Sequence, residues 1–213
     1  MNFHGKAERL NDIDLPLVGH RIGVGEDEIH AIIDVECRGR GFDRQGLPAM
    51  LFEPHIFWRE LDGRERYEAE MQGLARRQWK RDYPADSYPR LLRAMKINKV
   101  AALRSCSWGM GQIMGFNHSL AGFNSVEDMV EAFTRSELVQ LNAMVTFIIS
   151  AGLDDELRKG DWRGFARGYN GPAYATHNYH GRLKAAFTKW ARIKDTPFKA
   201  EQFATLWRDR MAA

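Results

Sequence analysis

The sequence predicts a mainly α-helical (α+β) protein with a small non-helical part, and three observations carry that expectation. Apolar residues recur at helical spacing along most of the chain. Polar capping residues such as Ser125, Ser136 and Asp161 stand just before those periodic segments. Two stretches, Gly39 to Phe57 and Ser105 to Gly122, are glycine-rich and lack the 3.6 period, so loops, hairpins or short extended pieces are expected there. With 213 residues, 44% hydrophobic and 28% charged, the chain can bury a substantial core, and one domain over residues 1–213 is expected.

In chain order, the first clear helix carries Ile29, Ile32 and Ile33 on one face, and the next position on that stripe is Glu36. Gly39 and Gly41 end it. A carboxylate here meets the negative end of the helix dipole, and partial burial also disfavours its charge. Both effects push its pKa up, toward the range of a general acid, unless the side chain snorkels to water or pairs with Arg38 or Arg40. Pro89 suits the first turn of a helix around Leu91, Leu92 and Met95. Val126, Met129, Val130 and Phe133 mark a helix opened by Ser125, with Asp128 three residues on. Leu138, Leu141, Val145, Ile148 and Ile149 mark the next, between Ser136 and Gly152. Asp161 caps a short helix with Trp162, Phe165, Ala166 and Tyr169, Tyr179 to Trp190 form another, and Phe203, Leu206 and Trp207 a terminal one.

Composition excludes several classes. No apolar run reaches membrane-spanning length, so no stable membrane insertion is expected. The segment Met1 to Lys6 has no basic-then-apolar leader, which implies synthesis in the cytoplasm without a signal peptide. Cys37 and Cys106 make no disulfide framework and are expected as buried thiols. His177 and His180 suit surface or capping roles, and no complete metal-ligand set or phosphate-binding loop occurs, so neither metal nor cofactor is expected. The net charge is only +3, yet Arg76 to Arg104 holds nine Lys or Arg against Asp82 and Asp86. That surface suits either an anionic cell envelope or plain solvation; no nucleic-acid module accompanies it, and a nucleic-acid partner is not expected.

Three segments form a constellation: Val35-Glu36 with Arg38-Gly39-Arg40-Gly41-Phe42, then Ser107-Trp108-Gly109-Met110-Gly111-Gln112-Ile113-Met114-Gly115-Phe116, then Gly168-Tyr169-Asn170-Gly171. Glycines 109, 111 and 115 let backbone approach a ligand, Gln112 offers a donor and an acceptor, and Trp108, Phe116 and Tyr169 offer flat faces for sugar rings. In this order the segments resemble the lysozyme superfamily, whose goose-type lysozymes and lytic transglycosylases share a helix-terminal Glu, a Ser-x-Gly-x-x-Gln-Ile-like motif and a Tyr-Asn-Gly motif. The chain is more closely similar to the N-acetylmuramidase domain of phage lysins, through Val35-Glu36, Gly39-Arg40-Gly41-Phe42 and Leu51-Phe52-Glu53-Pro54-His55-Ile56-Phe57. The likeness covers most of Ile29 to Trp190, and Cys37 replaces a Ser common in that family.

The resemblance implies a lysozyme-like fold in which a helical lobe and a small β-rich lobe form a glycan-binding cleft. It implies an endolysin-like hydrolase cutting the β-1,4 bond between N-acetylmuramic acid and N-acetylglucosamine, and so lysing bacterial cell walls. Glu36 would be the acid, and Glu53, a charge in a short apolar segment, the second carboxylate, with Asp43 behind it. Ser107, Trp108, Gly109, Gln112, Tyr169 and Asn170 would bind the glycan, Tyr169 also packing beside Glu36. The enzyme is expected as a monomer, reaching periplasmic peptidoglycan once the inner membrane is breached. A lytic transglycosylase using the same Glu36, and a non-catalytic wall-binding module, are the alternatives.

Overall fold

The computed structural model describes residues 1–37 and 40–212, apart from the side chain of Ala173. Arg38 and Gly39, expected in the turn after Glu36 and as a partner for it, lie outside them. The helices run α1 (Asp14–Ile22), α2 (Glu26–Glu36), α3 (Pro54–Glu60), α4 (Gly63–Met71), α5 (Tyr88–Met95), α6 (Lys99–Arg104), α7 (Val126–Phe133), α8 (Glu137–Ser150), α9 (Asp154–Arg158), α10 (Trp162–Asn170), α11 (Tyr179–Trp190) and α12 (Phe203–Ala212). Strands β1 (Met50–Phe52), β2 (Cys106–Trp108) and β3 (Ile113–Met114) form one antiparallel sheet in that order. Met50 pairs with Trp108, and Ser107 with Met114. The mainly α-helical, lysozyme-like expectation therefore holds.

Local chemistry explains the helix starts. The amides of Asp128, Val139 and Gly164 donate to the side chains of Ser125, Ser136 and Asp161 at 3.0, 3.2 and 2.9 Å. Asn98 caps α6 in the same way. Helix α8 is buried on nearly every side, through Leu138, Leu141, Met144, Val145 and Ile148, and forms the central post of the core. Two polar residues on its first turns, Glu137 and Gln140, are buried as well.

The structure corrects the sequence expectations in three places. The stretch Gly39 to Phe57 is not wholly irregular, because Pro54 occupies the first turn of α3. Helices α1, α4, α6 and α9 form where no periodic segment stood out. Charged α4 buries only Ala69, and Arg66 anchors it to the carbonyls of Trp58 and Leu61. Trp108, expected as a sugar platform, is fully buried. Its indole N–H donates to the Leu103 carbonyl at 3.0 Å, and its ring stacks on Phe3 at 6.0 Å. Its large apolar area drives it inward, with a carbonyl at hand for the N–H.

The last helix, α12, buries no residue of its own. Trp207 and Met211 pack half-buried against the core, and polar contacts add to their hold: Arg210 donates from Nε and Nη2 to the fully buried Asp14 at 2.7 and 2.9 Å, and from Nη1 to Glu8 at 2.6 Å. Among the described residues, no helix is long and apolar enough to cross a membrane.

Candidate active site

Glu36 is the last residue of α2, whose inner face buries Ile29 and Ile32. Helix α11 lies along α2. Trp190 stacks flat on His30 with centroids 3.7 Å apart, and Asp34 accepts from Trp190 Nε1 at 2.8 Å and from Lys189 at 3.2 Å. These contacts fix the end of α2 and so the root of Glu36. Its Oε1 accepts from Asn170 Nδ2 at 2.9 Å, and no hydrogen bond among the described residues engages Oε2. Burial raises the Glu36 pKa above its ordinary value, against the opposing pulls of the Asn170 bond and the positive charge of Arg182. The sequence expectation of a raised pKa holds in direction. Among the described residues the direct partner of Glu36 is the Asn170 amide; the alternative of a pair with Arg38 lies outside them.

Three bridges bring the three motif segments together. Asn170 reaches Glu36, and the Tyr169 hydroxyl donates a long bond of 3.4 Å to the Gly111 carbonyl. Tyr169 itself stacks on Phe165 and meets Phe147 edge-on, and burial together with the neighbouring Glu36 pushes its pKa up. The third bridge comes from Gln140. Its Oε1 accepts from the Met110 amide at 2.8 Å, while its Nε2 donates to the carbonyls of Gly41 and Phe133 at 3.1 and 2.9 Å. Glu137, one turn earlier, accepts from the Gly41 amide at 2.9 Å, from Leu10 at 3.1 Å and from Arg9 at 2.6 Å. Sequence reasoning missed this pair. The signal was available, since a Glu and a Gln three apart interrupt the apolar surface of α8 much as Glu36 interrupts α2.

The Ser-x-Gly-x-x-Gln motif is chiefly a self-bonded turn. The Ser107 hydroxyl donates to Gln112 Oε1, and Gln112 Nε2 to the Gly109 carbonyl, each at 2.9 Å. Gly109 is required by the protein's own packing: its φ is +65°, and a Cβ would lie 2.8 Å from Phe133 and 2.9 Å from Gln140. Gln112 itself sits in the left-handed region at φ +48°, a conformation unusual for a residue with a side chain. Beside it opens a cavity of about 200 Å³ lined by Arg40, Ala49, Met50, Leu51, Gly109, Met110 and Gln112. A larger cavity of about 610 Å³, lined in part by Pro16, His20, Glu26 and Phe198, includes none of the motif residues.

Glu53 sits at the junction of β1 and α3. Its backbone N–H donates to Ser105. Its carboxylate accepts from the Tyr83 hydroxyl at 3.1 and 3.0 Å, and Tyr83 in turn accepts from Trp79 Nε1 at 2.9 Å. His55 Nδ1 lies 3.3 Å away, but burial with Arg59 and Arg76 lowers its pKa, so the contact is with a largely neutral ring near pH 7. Burial raises the Glu53 pKa, opposed by the Tyr83 bond and Arg76. Neither Glu36 nor Glu53 figures among the charges that shift the other, so the two do not share a proton as a tight pair. Asp43 is engaged in its own turn, accepting from the amides of Gln45 and Leu47 at 2.8 and 2.9 Å.

The basic stretch divides. Arg76 pairs with Asp82, Lys99 with Glu127 and Arg104 with Glu60, and Arg93 donates to the Gln72 carbonyl. Arg77, Lys80 and Arg81 are exposed on one loop. Among the described residues, no three His, Cys, Asp or Glu side chains converge as a metal site. Cys37 and Cys106 are buried free thiols, and burial pushes the Cys37 pKa up to about 12.

A family model described as "Muramidase: N-acetylmuramidase" matches residues 26–191. The crystal structure of the Burkholderia AP3 phage endolysin is similar, with a TM-score of 0.80 and 34% sequence identity, over 87% of this chain and 73% of that one. No curated protein matches the sequence.

Proposed function

The chain belongs to the N-acetylmuramidase family, and from that premise we propose that it cleaves the β-1,4 bond between N-acetylmuramic acid and N-acetylglucosamine in peptidoglycan, with Glu36 as the general acid. A lysozyme-type glycoside hydrolase acting on peptidoglycan is what the family implies; the bond and the residues are our assignment. One observation carries it. Glu36 is a half-buried carboxyl at a helix end, with a raised pKa, held at Oε1 by a neutral amide and, among the described residues, without a hydrogen bond at Oε2. Such a group keeps a proton toward neutral pH and presents it in a fixed direction.

In the proposed reaction, Glu36 gives its proton to the glycosidic oxygen as the bond to the muramic anomeric carbon breaks. Positive charge develops on that sugar ring, and water adds to the anomeric carbon. Glu53, which accepts its hydrogen bond from Tyr83, is our candidate for stabilising that charge or taking the proton of the water. We assign Gln112, beside its cavity, and the Asn170 amide to the N-acetyl and hydroxyl groups of the glycan, an assignment supported by the bonds from Ser107 and to Gly109 that orient Gln112. Similarity to a phage endolysin supports a role in cell-wall lysis.

Mass spectrometry of purified peptidoglycan after digestion and borohydride reduction tests the reading. Hydrolysis leaves reducible N-acetylmuramic ends. Predominantly 1,6-anhydro ends, lighter by one water, would replace the hydrolase with a lytic transglycosylase.

A further inference from the structure

We propose that Trp79 is a sugar-stacking subsite of the enzyme and that Tyr83 links it to Glu53. The inference deepens the muramidase reading and rests on it. Trp79 is 60% exposed, an unusual state for the largest apolar side chain, yet it is not loosely held. Its loop is fastened at the base, where the Arg76 amide donates to Pro54, the residue after Glu53, at 3.3 Å. Arg76 then closes the loop on itself, bonding Asp82 and, at 3.1 Å, the Lys80 carbonyl. The Asp82 amide also donates to Lys80 at 3.0 Å. The result is a stapled turn with Trp79 on its outside and the exposed cations Arg77, Lys80 and Arg81 around it.

The hydrogen bonds of Trp79 run in one direction. Its indole N–H can only donate, so Tyr83 accepts there, and the single phenolic proton of Tyr83 is left for the Glu53 carboxylate. The exposed ring is therefore held by its N–H edge two hydrogen bonds from Glu53, with its apolar face uncovered. A flat, immobilised aromatic face suits the C–H face of a pyranose, and the polar edge is already satisfied by protein, so stacking costs no hydrogen bond. The surrounding cations suit a polymer that bears carboxylates. Tyr83 is a positioning residue: it holds the Glu53 carboxylate and the indole in one frame.

The test uses the intact chain carrying Glu36→Gln, so that binding is measured without turnover, titrated with soluble β-1,4-linked N-acetylglucosamine oligomers. Adding Trp79→Ala should raise the dissociation constant about tenfold, the order expected from losing burial of one indole face. Trp79→Phe, which keeps a flat ring and loses the N–H, should recover most of that binding. In the enzyme with Glu36 intact, Tyr83→Phe should lower kcat more than it raises KM. Unchanged oligomer affinity in Trp79→Ala would overturn the proposal, as would a loss that Phe does not recover or one that appears only on whole cells. Full turnover by Glu36→Gln would instead sink the muramidase mechanism, and the binding titration would still decide on Trp79.

Discussion

Asn170 and Glu36, the last residues of two helices 134 positions apart in sequence, are joined by a 2.9 Å hydrogen bond from amide to carboxylate. The bond has two effects of opposite use. It fixes the direction of the carboxyl group, and it favours the charged form that burial opposes.

Removing that donor with Asn170→Ala should therefore do two things. Turnover should fall about 10–10²-fold through misplacement of the acid. The descending alkaline limb of the pH–rate profile should move to higher pH, because Glu36 loses a bond that stabilised its anion. A limb that stays fixed or moves down would show that the bond does not govern the Glu36 proton.

Glu36→Gln should abolish turnover by about 10²–10⁴-fold or more and at the same time stabilise the fold. The folded pKa of Glu36 lies above its unfolded value, so the native state binds the proton more tightly. Stability from this group is complete below the unfolded pKa and falls as pH rises through the folded one. At neutral pH the native protein carries that penalty. The amide removes it and still accepts from Asn170. Thermal melts at pH 7 should show a higher Tm, by about 2–4 °C per kcal/mol for a chain of this size. A lower Tm would mean that the charge is welcome where it sits.

Glu53→Gln should lower kcat by at least about tenfold with little change in affinity for N-acetylglucosamine oligomers, the mark of a group used in the transition state. Equal loss of binding and rate would assign Glu53 to architecture.

Trp108→Ala should destabilise the protein by about 3–5 kcal/mol through cavity formation and the freed Leu103 carbonyl. The fraction that remains folded should bind oligomer as the parent does. Selective loss of binding with an unchanged Tm would return Trp108 to the cleft.

Charge reversal of Arg77, Lys80 and Arg81, which are exposed, should weaken action on permeabilised cells and flatten its salt dependence, since exposed charges are screened over about 8 Å at physiological ionic strength. Reversal of Arg104 should chiefly cost stability, because it pairs with Glu60. Equal effects of both changes on cells would argue against envelope recruitment by the loop.

The helices with both a cap and an apolar stripe, α7, α8 and α10, were legible because capping and period agree there. Helix α4 was not, since a mostly charged segment held by Arg66 carries no periodic signal. Glu36 stood out as a charge on an apolar stripe. By the same logic Glu137 and Gln140 were visible, but their role was not: it depends on the backbone of Gly41 and Met110, roughly 30 to 100 positions away in sequence. Trp108 misled because an aromatic beside a glycine-rich turn reads the same whether its ring faces solvent or core. Only the pairing of β2 with β1, which sets the side of the pleat, separates the two.

The grip of Arg210 on Asp14 links the opposite ends of the chain in one opening equilibrium. Asp14 has no exposure, so peeling α12 away would strand a buried carboxylate unless α1 opened with it. A surface helix with no buried residue would ordinarily fray by itself and exchange its amide hydrogens rapidly. Here the middle amides of α12 should exchange at a rate set by the same opening free energy as those of α1, making the first and last helices one cooperative unit.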